Sequence, residues 1–315
     1  MKRTILRVLS TWIVLGIAVA AWAAAPIRVD CNKGGSISAT LAGLVQSGNT
    51  RGITIFVTGT CKENITIGAF DHLVLQGLPI ATLQDTSNGT APVITVFSSF
   101  DVLIAGLTIN GGAFGVNCIQ YSYCFLYGST IQQSGGYGVR FGRSNGVLQN
   151  NRILNHAAGG LGLINGSKAV STSDTISGNG GPGVMVVSGS NLTAQSDIIQ
   201  NNTLGIRATQ DSVVRATDVT ITGNSSDGVR LESSSTASFE QGDTGNVITG
   251  NGGNGVSVKD LAFAGFVNAN NVSGNLTQPD VACYPQFSAT RGAGTIGGTT
   301  NCNEPRQTSG ADSPR

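Results

Sequence analysis

Carboxylate and guanidinium side chains return at fixed intervals along this chain, and two sets of them have types and spacing suited to chemistry. Asp174 and Asp197 lie 23 residues apart, and Asp218 follows 21 residues later. Converging on one groove, such carboxylates would serve glycoside hydrolysis, or would hold Ca²⁺ beside a basic residue for uronate elimination. Asn151 and Asn246 fall in the register of Asp174 and Asp197, however, and an Asn/Asp position shared between repeats is typical of a tight corner. The corner role is therefore the expectation for these Asp residues, with catalysis as the alternative. Adjacent coils would bring the carboxylates within ~5 Å, close enough for a weak Ca²⁺ site, although nothing else in the sequence calls for a cofactor. The second set is Arg140, Arg207 and Arg230, with Glu232 and Lys259 beside the last two. A guanidinium fork matches a carboxylate in two hydrogen bonds, so an Arg face predicts contact with a uronate-rich or otherwise anionic glycan. A solvated face of mutually neutralising charges is the plainer alternative.

Aromatic residues add one platform. In Tyr121–Tyr127, Cys124 and Leu126 fall at inward positions, so Tyr123, Phe125 and Tyr127 point outward from one strand, with Tyr137, Arg140 and Arg143 in the next coil. Exposed rings in a row suit a sugar ligand or a covering chain. Two histidines complete the search for catalytic groups. His156 lies in the register of a recurrent Asn, which predicts a hydrogen-bonding role, while His72 opens an early strand without an evident partner. Neither forms a triad with Ser or Cys at an arguable spacing. The six Cys lack any C-x-x-C pair, so no metal site is expected. Fifteen pairings are open, and proximity favours Cys31 with Cys61, Cys118 with Cys124, and Cys283 with Cys302.

The elements that must position these residues follow from one repeated phrase. Gly followed by alternating apolar residues occurs at Gly115, Gly138, Gly160, Gly183, Gly205, Gly228 and Gly255, at intervals of 23, 22, 23, 22, 23 and 27. A fixed period of this size marks a stacked repeat architecture. Within one repeat, Val184 and Val186 alternate with Met185 and Val187. Leu192 and Ala194 alternate with Thr193 and Gln195, and Ile198-Ile199 follow a corner at Asp197. Three strands of about four residues fill ~22 residues and leave no room for a helix. The prediction is an all-β, single-stranded right-handed parallel β-helix, a solenoid with three short strands per coil. Columns support it. Leu126, Leu148, Ser171, Ala194 and Ala216 share an inner position, and Ile176, Ile199, Ile221, Ile248 and Val272 share another. Three residues past those anchors come Asn179, Asn202, Asn224, Asn251 and Asn275, expected to stack along the axis and to take the left-handed corner conformation. Ile37, Leu41, Leu44 and Val45 fall at helical spacing after Ser36, which predicts a short amphipathic cap over the first coil.

Residues 1–23 have the pattern of a bacterial-type secretory signal peptide: Lys2, Arg3 and Arg7, an apolar run from Thr11 to Ala21, and small residues flanking Trp22. Export predicts a periplasmic or secreted protein in which disulfides persist, with no membrane span once the leader is removed. The remaining chain carries 15 Lys+Arg, the 18 of the whole less these three, against 17 Asp+Glu. Such a near-neutral balance argues against nucleic acid as a partner. Both Trp residues, Trp12 and Trp22, fall in the leader. One β-helix domain is expected over 24–302, with its cap at about 31–50 and its repeats at about 52–284, followed by a disordered tail at 303–315.

The run G-I-T-I-F-V-T-G-T-C-K-E-N-I-T-I from Gly52 to Ile67, followed by H-L-V-L-Q-G and D-V-L-I-A-G-L-T-I-N-G, resembles the opening of pectate-lyase-like right-handed β-helix proteins. The later I-S-G-N and G-V-x-V coils are similar to the parallel β-helix repeat of that superfamily, and the resemblance covers roughly Arg28 to Tyr284. It implies the fold. For activity it implies a range, from polysaccharide lyases, hydrolases and epimerases to tailspikes and adhesin-like proteins without catalysis. The favoured expectation is a binding or structural role at or outside the cell envelope, in contact with polysaccharide. A lyase or hydrolase of an acidic glycan is the alternative. A self-associating adhesin, joined through outward Ile164, Met185 and Val187, is a third.

Overall fold

The computed structural model describes residues 25–284, 289–291 and 296–302. The expected leader, including Trp12 and Trp22, and the expected tail at 303–315 lie outside the described residues. Ten parallel strands, from Ile65–Gly68 to Val281–Tyr284, form one sheet that carries the first strand of each coil. The second and third strands of the coils form the other, larger sheet. Each strand pairs in parallel with its counterpart in the next coil, as when Val184 pairs with Leu161 on one side and Ile206 on the other. The chain is a right-handed parallel β-helix of about ten coils, ~48 Å long at ~4.8 Å per coil.

The interior is a set of apolar columns. Ile109, Ile131, Ile153, Ile176, Ile199, Ile221, Ile248 and Val272 pair in unbroken register along the third strands, and all are fully buried. Phe239 and Phe266 stack at 4.9 Å on the second strands. The recurrent glycines have a steric explanation. A Cβ on Gly205 would lie 2.2 Å from the Gly228 carbonyl oxygen, 2.6 Å from Ile221 Cγ2 and 3.1 Å from Asn224 Nδ2. Only hydrogen fits where the third corner presses against the start of the next coil.

Polar ladders hold the three corners. At the third, the backbone N–H and the side-chain amide of Asn179 both donate to Asn202 Oδ1. The same pattern continues through Asn224 and Asn251 to Asn275, and Asn275 donates to Asp280. His156 extends this column: its N–H donates to Asn179 Oδ1, and its Nδ1 accepts from Ser134 N–H. Burial pulls the His156 pKa down to about 4, and its bond with the Ile131 carbonyl opposes this only in part. Neutral His156 is thus a rung of the ladder. The first corner carries a column of buried Ser, including Ser99, Ser122, Ser144, Ser167 and Ser190, in which successive N–H groups donate to the next Ser Oγ. One expectation is corrected. The left-handed residue at the third corner is not the ladder Asn but the one before it, such as Gly178, Asn201 or Gly223.

The early coils depart from three separate strands. Asp71–Gln84 runs on as one strand whose register against Phe100–Asn110 shifts between Gln76 and Ala81. The cap helix spans Ile37–Gln46 and buries Ile37, Leu41 and Leu44, whereas Val45 is exposed. Its first turn is held from the next coil: Glu63 accepts from Ile37 N–H, Ser38 N–H and Ser36 Oγ at 2.8–3.0 Å. Burial disfavours the Glu63 charge, yet these donors outweigh it and keep the carboxyl below its usual range. Glu63→Ala is expected to lower stability by about 2 kcal/mol. Amide exchange should then accelerate in residues 37–46 first, and unchanged protection there would rule out this anchoring role. Cys31–Cys61, Cys118–Cys124 and Cys283–Cys302 are disulfide-bonded.

Candidate functional site

Asp174 and Asp197 point inward. Both are 1% exposed and belong to the ladder of the second corner. Asn151 N–H and Nδ2 donate to Asp174 Oδ1, Ser171 Oγ donates to Asp174 Oδ2, and Asp174 N–H donates to Asp197 Oδ1. Burial, and then the Asp174 charge, push the Asp197 carboxyl up to about 7, and burial also raises that of Asp174. The corner role stands, and neither side chain reaches a surface groove. Asp218 lies elsewhere because it occupies the left-handed position (φ 54°) that precedes the ladder position, which Val219 fills. Its carboxylate accepts from the N–H groups of Gly242, Asp243, Thr244 and Gly245. Burial opposes its charge, but these four donors hold it below the usual range. Asp218 thereby anchors residues 241–246, the enlarged corner behind the 27-residue interval. The three Asp residues therefore do not converge.

The Arg column lies on the outer face of the ten-stranded sheet, in the register Asn117, Arg140, Gly162, Met185, Arg207, Arg230, Ser257. Its members differ in electrostatic state. Arg207 pairs with Glu232 at 2.8 Å, and Arg230 pairs with the buried Asp227 at 2.8 Å and donates to Ser226 Oγ. Sequence register placed the charges side by side, but these two carboxylates neutralise two of the three. Arg140 is different. It donates to Asn117 Oδ1 at 3.0 Å and lies 5.4 Å over the Phe114 ring, and among the described residues no carboxylate pairs with it. Burial lowers its pKa, an effect that Tyr137 counters.

Tyr137 is the residue that spacing alone did not place in this column. Its ring fills the space left by two glycines, coming within 2.6 Å of where a Cβ on Gly159 would stand and 3.2 Å of one on Gly162. Burial raises the Tyr137 pKa, while Arg207 and Arg140 pull it down. The surface therefore runs from Arg140 across a half-buried phenol to Met185 and the Arg207–Glu232 pair. The first and last glycines of G-G-L-G, Gly159 and Gly162, were the available signal.

Tyr123, Phe125 and Tyr127 do point outward, but from the larger sheet, so they do not join Arg140, Arg207 and Arg230 in one site. Their rings continue a ribbon: His72 meets Phe100 at 6.4 Å, Phe100 meets Tyr123 at 5.8 Å, and Tyr123 meets Phe125 at 4.9 Å. His72 has partners that the sequence reading missed. Its Nδ1 is 2.5 Å from Asp71 Oδ1 and its Nε2 is 3.1 Å from Asp101 Oδ2, while Asp71 also pairs with Arg51. Aligning H-L-V-L-Q-G on D-V-L-I-A-G puts His72 opposite Asp101, and that was the signal. Among the described residues, Cys31, Cys61 and Glu63 are the only cluster with metal-ligand geometry. Its sulfurs form a disulfide and its carboxylate holds the cap helix, so it does not fit a metal.

Residues 73–204 match the family model described as a right handed beta helix region. The protein is thus a right-handed parallel β-helix with the pectate-lyase-like fold, and solved structures agree. The mannuronan C-5 epimerase AlgE6 A-module of Azotobacter vinelandii superposes with a TM-score of 0.60 at 15% identity, covering 88% of this chain and 96% of its own. The pectate lyase Pel9A gives 0.56 at 10% identity, over 89% of this chain and 79% of that one. The enzymatically active domain of tailspike protein 2 from bacteriophage CBA120 gives 0.64 at 10% identity; 85% of this chain spans 47% of that one. No curated protein matches the chain by sequence.

Proposed function

We propose that the protein is exported and binds an acidic polysaccharide on the outer face of the ten-stranded sheet, at the cell envelope or outside the cell. The observation that carries this reading is Arg140. It is a half-buried guanidinium without a carboxylate partner, beside the Tyr137 ring that fills the gap at Gly162. The guanidinium matches a uronate carboxylate in two hydrogen bonds, and the ring and Met185 offer apolar contact to a pyranose face. Arg207 and Glu232 continue the strip as a polar pair. An epimerase of mannuronan and a pectate lyase share the fold, so the scaffold accommodates acidic chains. Three disulfides suit an oxidising compartment, and no helix among the described residues is long and apolar enough to cross a membrane. Binding is the role favoured, with Asp174 and Asp197 buried in the second-corner ladder and Asp218 holding an enlarged corner.

Arg140→Glu is expected to weaken retardation of the protein in gels containing polygalacturonate or alginate at least tenfold. Melting should shift little, since the side chain is half exposed. Undiminished retardation would remove the support for this face. Release of unsaturated uronate, read by ultraviolet absorbance, would replace passive binding with elimination chemistry.

A further inference from the structure

The corner between the ten-stranded sheet and the aromatic ribbon holds a cleft of about 290 Å³, lined by Tyr121, Arg143, Asn145, Asn165 and Gly166. Tyr121 is 83% exposed, among the most exposed large side chains of the described residues. It is held from the backbone, with its N–H donating to the Arg143 carbonyl at 2.7 Å. Residues Tyr121 and Arg143 are both left-handed, at φ 62° and 52°, so the chain turns sharply there and projects both side chains outward. Asn145 accepts from Lys168 N–H through Oδ1. Its amide N–H₂ has no protein partner among the described residues, and neither the Arg143 guanidinium nor the Lys168 ammonium pairs with a carboxylate there. Asn145 pairs in register with Tyr123 on one side and Lys168 on the other, so the cleft opens directly onto the ribbon of Phe100, Tyr123 and Phe125.

We infer that this corner is a second glycan-binding surface, on a different sheet from Arg140, and that it takes an acidic polysaccharide. Three features converge on that ligand. Ring edges and faces in a row present the flat, weakly polar contact that the C–H face of a pyranose fills. Hydrogen-bond donors without partners, Arg143, Asn145 Nδ2 and Lys168, stand alongside and match hydroxyl and carboxylate oxygens. Both free charges at this end are positive, so a uronate carboxylate is favoured over a neutral sugar. At the far end of the ribbon His72 is held by Asp71 and Asp101, and Arg51 is paired with Asp71, so an acidic chain meets no free positive charge there among the described residues. The ligand would thus extend along the axis from Tyr123 toward Lys168 instead of toward His72. The inference stands independently of the Arg140 reading. If both hold, one molecule bridges two chains.

The test uses the whole protein in affinity gels containing polygalacturonate, with a neutral glucan as reference. Four forms are compared: wild type, Arg140→Glu, the double variant Tyr121→Ala/Arg143→Ala, and the three changes combined. Adding Tyr121→Ala/Arg143→Ala to the Arg140→Glu protein is expected to weaken binding at least tenfold, with no change for the neutral glucan. Thermal melting checks that the fold persists. If Arg140→Glu changes nothing while the double variant loses affinity, the corner holds and the sheet-face proposal falls. The inference is overturned if the double change has no effect in either background, or if wild type is not retarded by the acidic chain.

Discussion

Asn202→Ala is expected to lower the unfolding free energy by about 4–5 kcal/mol, among the largest effects of any single substitution in this chain. Asn202 Oδ1 accepts from both the N–H and the Nδ2 of Asn179, and its own Nδ2 donates to the Ile176 carbonyl and to Asn224 Oδ1. Truncation leaves those donors and acceptors buried, at about 1–3 kcal/mol for each one unmade. It opens a cavity as well, because the Asn202 amide packs within 2.7 Å of where a Cβ on Gly183 would stand. The stack is continuous from His156 to Asp280, so the defect is shared by two coils. Urea denaturation of Asn202→Ala beside Thr222→Ala, a partly exposed residue of the next coil, would measure this. The Thr change should cost under ~1 kcal/mol, the usual range for a surface substitution. A loss for Asn202→Ala no greater than that would mean the column is ornament on an apolar core.

Asp197→Asn should act in the opposite direction and only at the higher pH. An unfolded Asp titrates near ~3.9, while the folded Asp197 carboxyl holds its proton up to about 7, first because it is buried and then because Asp174 adds like charge. Between those values the folded state binds more protons than the unfolded chain. Stability is therefore full below about pH 4 and falls as pH rises toward about 7, by up to ~4 kcal/mol. Asn does not titrate. It also supplies the amide that Asn151, Asn246 and Asn270 use in this column to donate to carbonyls of the second strands. The variant is expected to match wild type at pH 4 and to exceed it by about 2–4 kcal/mol at pH 8. Melting curves at the two pH values decide the matter. An equal gain at both, or a loss at pH 8, would show that the proton is not what Asp197 stores.

The fold was legible because the solenoid writes its three-dimensional period directly into one dimension. Gly115 to Gly255 mark where coils press together, and the Asn and Ile columns fall in register with no knowledge of loops. His156 could be read as a rung from its offset alone. The serine column could not, since Ser is common and its spacing is hidden among other Ser and Thr residues. The candidate site was less legible, for two physical reasons. Register along the axis tells which residues are neighbours on one sheet, but not which sheet a neighbouring strand joins, so Tyr123 and Arg140 looked closer than they are. Long side chains choose partners across corners: Arg230 turns to Asp227 and Arg207 to Glu232, and of the three arginines in this column only Arg140 is left without a carboxylate among the described residues. The one-residue offset of Asp218 from the register of Asp174 and Asp197 is legible in the sequence, but not that it puts Asp218 at the left-handed position, outside the ladder.

The enlarged corner held by Asp218 has a consequence for how such a molecule changes over generations. The chain leaves its period at Gln241 and resumes it at Asn246, whose amide again donates to the carbonyl of Ala216 and to Asn270. Four extra residues were thus absorbed at one corner without displacing a rung on either side. A solenoid whose coils contact only their neighbours tolerates a longer corner, because the rungs above and below still meet in register. Novelty is then confined to the rim, where ligands meet the surface, while inheritance is carried by the columns.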